Sequence, residues 1–140
     1  EAIGQYRATL NVRPDDAASH YNLARLLEDT VRKQQAIEHY RQAIAAQPDF
    51  PAASSNLGII LLTTGHVEEA IESFEAALQG QKSLGNYLNL ATAYSSANRV
   101  AEAIPLAEKA LDLARSQNET SLVEQLEANL VYLRKQRSRP

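Results

Sequence analysis

The chain has 140 residues, no cysteine, no methionine, and 14 basic against 17 acidic side chains, for a formal charge of −3. Without cysteine there are no disulfides and no thiolate metal sites, and the redox compartment stays open. No apolar run approaches the roughly 18 residues that span a bilayer, and no segment reads as a signal peptide. Arg134, Lys135, Arg137 and Arg139 crowd four basic groups into the last seven residues, so residues 1–133 carry 10 basic against 17 acidic groups. An acidic body argues against a nucleic-acid surface. The basic tail reads as a solvated helix terminus whose cations complement the macrodipole. A soluble, cytoplasmic setting is favoured, with an extracytoplasmic one open if the segment belongs to a membrane enzyme. Ala, Leu, Glu, Gln and Arg dominate, which is an all-helical balance.

Ala-Ile doublets recur at Ala2-Ile3, Ala36-Ile37, Ala70-Ile71 and Ala103-Ile104, at spacings of 34, 34 and 33 residues. A period of about 34 marks a stacked array of helical hairpins. In chain order, residues 1–14 come first. Their Ala2-Ile3, Tyr6, Leu10 and Pro14-Asp15 overlay Ala36-Ile37, Tyr40, Ile44 and Pro48-Asp49. They read as the second helix of a hairpin whose first helix is missing. Together with the opening Glu1 and the lack of an initiator methionine, this is what a piece of a longer protein would show.

Residues 17–50, 51–83 and 84–117 are then three hairpins in one register. The eighth position is Ala24, Gly58 and Ala91; the twentieth is Ala36, Ala70 and Ala103; the twenty-seventh is Ala43, Ala77 and Ala110. Two antiparallel helices approach closely where side chains are this small, so these residues predict the seam of each hairpin. Larger apolar groups flank it: Leu23, Leu57 and Leu90; Leu27, Leu61 and Tyr94; Tyr40 and Phe74; Ile44, Leu78 and Leu111. Pro14-Asp15-Asp16 and Pro48-Asp49-Phe50-Pro51 punctuate the array. Gly65 and Asn98 suit the left-handed turn inside a hairpin, whereas Val31 does not, predicting a distorted or shifted turn at Thr30-Val31. The third hairpin departs twice. Ala107 replaces the aromatic seen at Tyr40 and Phe74, and Pro105 inside the second helix predicts a mild bend near Ala101. Beyond Ser116, the one-sided stripe Leu122, Leu126, Leu130 and Leu133 predicts an amphipathic capping helix over residues 119–137.

This pattern resembles the tetratricopeptide repeat over at least residues 1–116. The resemblance implies an all-α, right-handed α-solenoid of antiparallel helical hairpins with a C-terminal capping helix, forming a single solenoid over 1–140. It also implies that the first helix of each hairpin lines a concave groove. On those positions stand Asn22, Asn56 and Asn89, with Tyr21 and Arg25 beside the first, Ile59 and Leu62 beside the second, and Thr92 and Ser96 beside the third. An amide offers a donor and an acceptor, which suits a peptide backbone of any sequence. The row is similar to the asparagine ladder of O-linked N-acetylglucosamine transferase repeat regions. The alternative weight is structural: asparagine here can serve contacts between repeats. A clamp for a terminal carboxylate needs basic groups at the second position, where this chain has Ala18, Ala52 and Gly85.

Nothing in the sequence resembles a catalytic site, a cofactor loop or a metal motif. His20, His39 and His66 stand on different elements, His20 expected packed and the other two exposed. Glu68, Glu69, Glu72 and Glu75 read as a solvated helix face rather than a calcium loop. The expected function is therefore a non-catalytic scaffold that binds a protein or peptide ligand, as an extended peptide or a partner helix, in the concave groove, with no cofactor, no nucleic acid and no direct membrane contact from this segment. The alternative is a substrate-selecting repeat region at the C-terminus of a larger enzyme, such as a glycosyltransferase. The apolar edge of the first helix (Ile3, Tyr6, Leu10 and Val12) also predicts a weak homodimer.

Overall fold

A computed structural model describes residues 1–28 and 31–140, and every statement below concerns those residues. They form eight helices and no strand. The chain divides into two compact units, Glu1–Gly80 and Gln81–Pro140. The first holds α1 (Ala2–Val12), α2 (Ala17–Glu28), α3 (Lys33–Ala46), α4 (Pro51–Thr63) and α5 (Val67–Gly80). The second holds α6 (Leu84–Ser96), α7 (Val100–Ser116) and α8 (Thr120–Arg137). The fold is an all-α solenoid of helical hairpins. In the first unit, α2 packs on α3 and α4 on α5, with α1 against α2 and α3 against α4; in the second, α6 packs on α7 and α7 on α8.

The helix starts coincide with the sequence register because local chemistry enforces them. Asp16 Oδ2 accepts the Ser19 N–H at 2.9 Å and so satisfies an otherwise unpaired donor at the start of α2. Hydrogen bonds from Ser19 hold that carboxyl below its usual pKa. Pro51 occupies the first turn of α4, and Ser83 caps α6 through the Asn86 N–H at 3.2 Å. The turns inside the second and third hairpins close on left-handed residues, Gly65 at φ 85° and Asn98 at φ 58°. Asn118, at φ 57°, ends α7 in the same way. Thr30 lies outside the described residues, and with it the turn expected there; Val31 is fully exposed. α7 runs unbroken through Pro105. The missing N–H withdraws the usual donor from the Ala101 carbonyl, on an exposed residue that water can reach.

Inside each hairpin the small residues do what their spacing requires. Ala24, Ala36 and Ala43 are fully buried beside Leu23, Leu27 and Tyr40. In the second hairpin the approach is closer still. A methyl group added at Gly58 would stand 2.5 Å from Phe74 Cε1, so the ring packs directly against the glycine and leaves no room for a side chain there. Each buried leucine in these seams contributes roughly 1.5–3 kcal/mol relative to exposure.

α8 buries Leu126, Leu130 and Leu133 and leaves Val131 and Tyr132 in solvent. Ion pairs Arg115–Glu127 (2.7 Å) and Arg134–Glu108 (3.0 Å) join it to α7 across an exposed rim, where such pairs contribute about 0–1 kcal/mol each. α1 contains no buried residue; Ile3, Tyr6 and Leu10 are half-buried and Val12 is 80% exposed.

Candidate ligand-binding surfaces

Asn22, Asn56 and Asn89 each stand sixth in their helix, counted from Ala17, Pro51 and Leu84, and each is half-buried. In the first unit the Asn56 amide is tied into a chain of polar groups. Its Nδ2 donates to the Tyr40 hydroxyl at 3.2 Å, and that hydroxyl donates to Glu28 Oε2 at 3.1 Å. Burial pushes the Tyr40 phenol well above its ordinary pKa, so the hydroxyl stays protonated and remains a donor. One donor of Asn56 thus links α4 to α3, the structural use of asparagine noted in the sequence, and its second N–H and carbonyl remain for other partners.

Tyr21 joins an aromatic cluster, its ring centroid 4.9 Å from Phe50 and 6.0 Å from Tyr40. The Arg25 guanidinium lies over the Tyr21 ring at 5.8 Å. Ile59 is 45% exposed, a large apolar group left in water, and Leu62 is half-buried. The sequence carries no local signal for this aromatic cluster: Phe50 reads there as turn punctuation, and its approach to Tyr21 depends on how α4 starts.

The histidines correct the sequence reading. His20 and His39 do not stand apart: their Nδ1 atoms meet at 2.9 Å, and His20 Nε2 lies 2.9 Å from the Pro14 carbonyl. His39 is half-buried rather than exposed. A carbonyl only accepts, so the His20 Nε2–H donates to Pro14, and one of the two Nδ1 atoms donates to the other. Burial, the neighbouring His20 and Arg7 lower the His39 pKa, against a smaller opposing influence from Glu38. The pair is a structural latch joining the α1–α2 turn, α2 and α3. A spacing of 19 residues across two helices gives no local signal for it.

In the second unit, Thr92 and Ser96 help to line an open cleft of about 530 Å³ between α6, α7 and α8. Leu88 and Ala91 of α6, Ala107 of α7, and Leu122 and Leu126 of α8 form its apolar walls. Ser95, Gln125 and Asn129 complete its lining, so no ionisable side chain takes part. Asn89 is not among the lining residues. Among the described residues, no group of three or more His, Asp or Glu side chains is placed to hold a metal ion. No helix is long and apolar enough to cross a membrane.

These features can be set beside known proteins. The Tetratricopeptide repeat profile matches residues 1–41 and 32–84, and a second profile of the same description matches residues 87–116. Among curated proteins, none matches by sequence. Solved structures share the fold. "Crystal structure of MamA" superposes with a TM-score of 0.75 at 16% identity, over 96% of this chain and 86% of that one. "Crystal structure of YrrB: a TPR protein with an unusual peptide-binding site" gives 0.74 at 20% identity, over 94% and 69%. With the profile covering more than half of its length and the hairpin register matching throughout, this chain belongs to the tetratricopeptide-repeat family.

Proposed function

We propose that the chain is a non-catalytic interaction scaffold that holds an extended peptide along the first helices of its hairpins. The observation that carries this reading is the half-buried asparagine at the sixth residue of α2, α4 and α6. Asn56 adds to it: the hydrogen bond to Tyr40 restrains the amide before any ligand arrives, and a restrained group loses less entropy on binding. Tyr21, Arg25, Ile59, Leu62, Thr92 and Ser96 supply mixed apolar and polar surface beside these amides. Peptide binding by the structural neighbour YrrB, as its description words it, is compatible with this reading.

The test selects peptides from a random display library on the wild-type chain and measures their affinity for the Asn22→Ala, Asn56→Ala, Asn89→Ala triple variant. The expected loss is roughly tenfold or more, the worth of one or two net hydrogen bonds. Stability should fall by no more than about 1 kcal/mol per site. Peptides that bind the triple variant equally well would overturn the reading.

A further inference from the structure

We propose that the cleft between α3, α4 and α5 receives a lysine side chain of a partner protein, on a surface separate from the asparagine row. Ser54 and Leu57, which line it, stand two residues before Asn56 and Ile59 on α4, about 200° away around the helix. A ligand there faces away from the asparagines, so the two surfaces can be tested separately.

Two positions filled by large side chains in the other hairpins carry serine here. Counted from Ala17, Pro51 and Leu84, the fourth and twenty-third residues are His20 and His39, then Ser54 and Ser73, then Tyr87 and Leu106. In the first hairpin the two imidazoles meet, Nδ1 to Nδ1, at 2.9 Å. In the second, two serines stand in their place and both line an open cleft of about 380 Å³, at the small end of ligand pockets, roughly 300–1,000 Å³. Ile44 and Ala45 of α3, Leu57 of α4 and Ala76 of α5 give it apolar walls. Ala45 and Ala76 are exposed, so a partner reaches the cleft directly from solvent. Ser54 is 3% exposed, and its hydroxyl has no hydrogen-bond partner among the described residues. No side-chain oxygen among them is both unbonded and sealed from solvent, so this hydroxyl opens into the cleft it lines. A polar group left unpaired at such burial is costly, and a ligand that bonds to it removes the cost.

Charge and hydrogen bonding select the occupant. Arg41, the cation of the lining, is already paired with Glu69 at 2.7 Å. Glu72 lines the same cleft and has no ion-pair partner among the described residues. No lysine or arginine occurs from residue 42 to 81, a stretch that holds Asp49, Glu68, Glu69, Glu72 and Glu75. The Ser73 hydroxyl donates to the Glu69 carbonyl at 2.9 Å, so its oxygen is left to accept. An entering group therefore meets a carboxylate and two hydroxyl oxygens, and it must bring donors. A lysine ammonium brings three, with a positive charge for Glu72, while its aliphatic stem covers the apolar walls. A carboxylate would face Glu72 and find Arg41 already taken.

The probe is N-acetyl-lysine methylamide. The norleucine analogue, which keeps the stem and lacks the charge, and the glutamate analogue are the controls. Each is titrated against the full chain while the methyl signals of Ile44, Ala45, Leu57 and Ala76 are followed by NMR. The lysine fragment should shift these signals saturably, and the glutamate fragment should not. The norleucine fragment should bind roughly fivefold more weakly, the worth of one exposed ion pair. Glu72→Gln should weaken lysine binding by a similar factor. Ala76→Lys places a competing ammonium four residues from Glu72 on the same helix and should weaken it too. Both substitutions fall at exposed positions of α5, where the fold tolerates them. An absence of saturable shifts, equal binding of the lysine and norleucine fragments, or unchanged affinity in either variant overturns the pocket. Shifts at the Glu68 and Glu75 amides with none at the four methyl groups would mean that cations gather only on the acidic face of α5, and would overturn it as well.

Discussion

The second and third hairpins share a register, a buried alanine seam and a left-handed turn, and they differ most where an aromatic ring is expected. Phe74, 1% exposed, fills the space above Gly58; Ala107, also 1% exposed, stands at the corresponding position of the third hairpin, where the buried Leu126 of α8 lines the same groove as Ala91 and Ala107. The same repeat geometry is thus closed by a ring in one hairpin and without one in the other. A repeat array tolerates this because each hairpin is stabilised mainly by itself and its neighbours. The third keeps Leu90, Tyr94, Ile104 and Leu111 buried, and gains the apolar face of α8.

The strongest way to break the comparison is to make the second hairpin resemble the third. Phe74→Ala removes a fully packed ring, and the expected loss is about 3–5 kcal/mol, read from chemical denaturation. A loss below about 1 kcal/mol would mean that the ring is not what closes this seam, and the contrast between the hairpins would fall.

A smaller effect separates the two units by pH. All three histidines lie in Glu1–Gly80 and none in Gln81–Pro140. The His39 pKa is lowered in the folded state from its ordinary 6.5, so the unfolded chain binds more protons across that range. The stability contributed by the His20–His39 latch is present above pH 6.5 and is lost as pH falls through the lowered folded value. The nearby charges are Arg7 on α1, Asp16 before α2 and Glu38 on α3. Amide exchange in α2 and α3 should quicken between pH 7 and pH 5, after correction for intrinsic rates, more than exchange in α7 and α8. His39→Asn should flatten that difference. Equal acceleration in both units would sink the latch assignment.

Much of the architecture was legible because it is written as a period. Ala17, Pro51 and Leu84 begin three helices at the residues where the register places them, and Gly65 and Asn98 take the left-handed turns their chemistry permits. The capping helix was legible from Leu126, Leu130 and Leu133, whose spacing places them on one buried face. What the sequence hid depends on contacts across elements. The His20–His39 bond, the Glu28–Tyr40–Asn56 chain and the tilted packing of Tyr21 against Phe50 join residues 12 to 29 positions apart. No local propensity signals such pairings. The departure at Ala107 was visible as a missing aromatic. Its consequence was not, because whether the gap collapses or stays open depends on how α8 packs beside it.

The measurement that tests the central claim most directly is the equilibrium stability of Ala107→Phe. Ala107 is 1% exposed, so the seam around it is already closed without a ring; the new side chain should force the helices apart, and stability should fall by about 1–3 kcal/mol, the cost of overpacking. If instead the position were vacant, the ring would enter existing space and the chain would gain about 0.5–2 kcal/mol, as cavity-filling substitutions do. A loss supports the contrast with Phe74, and a gain of that size contradicts it.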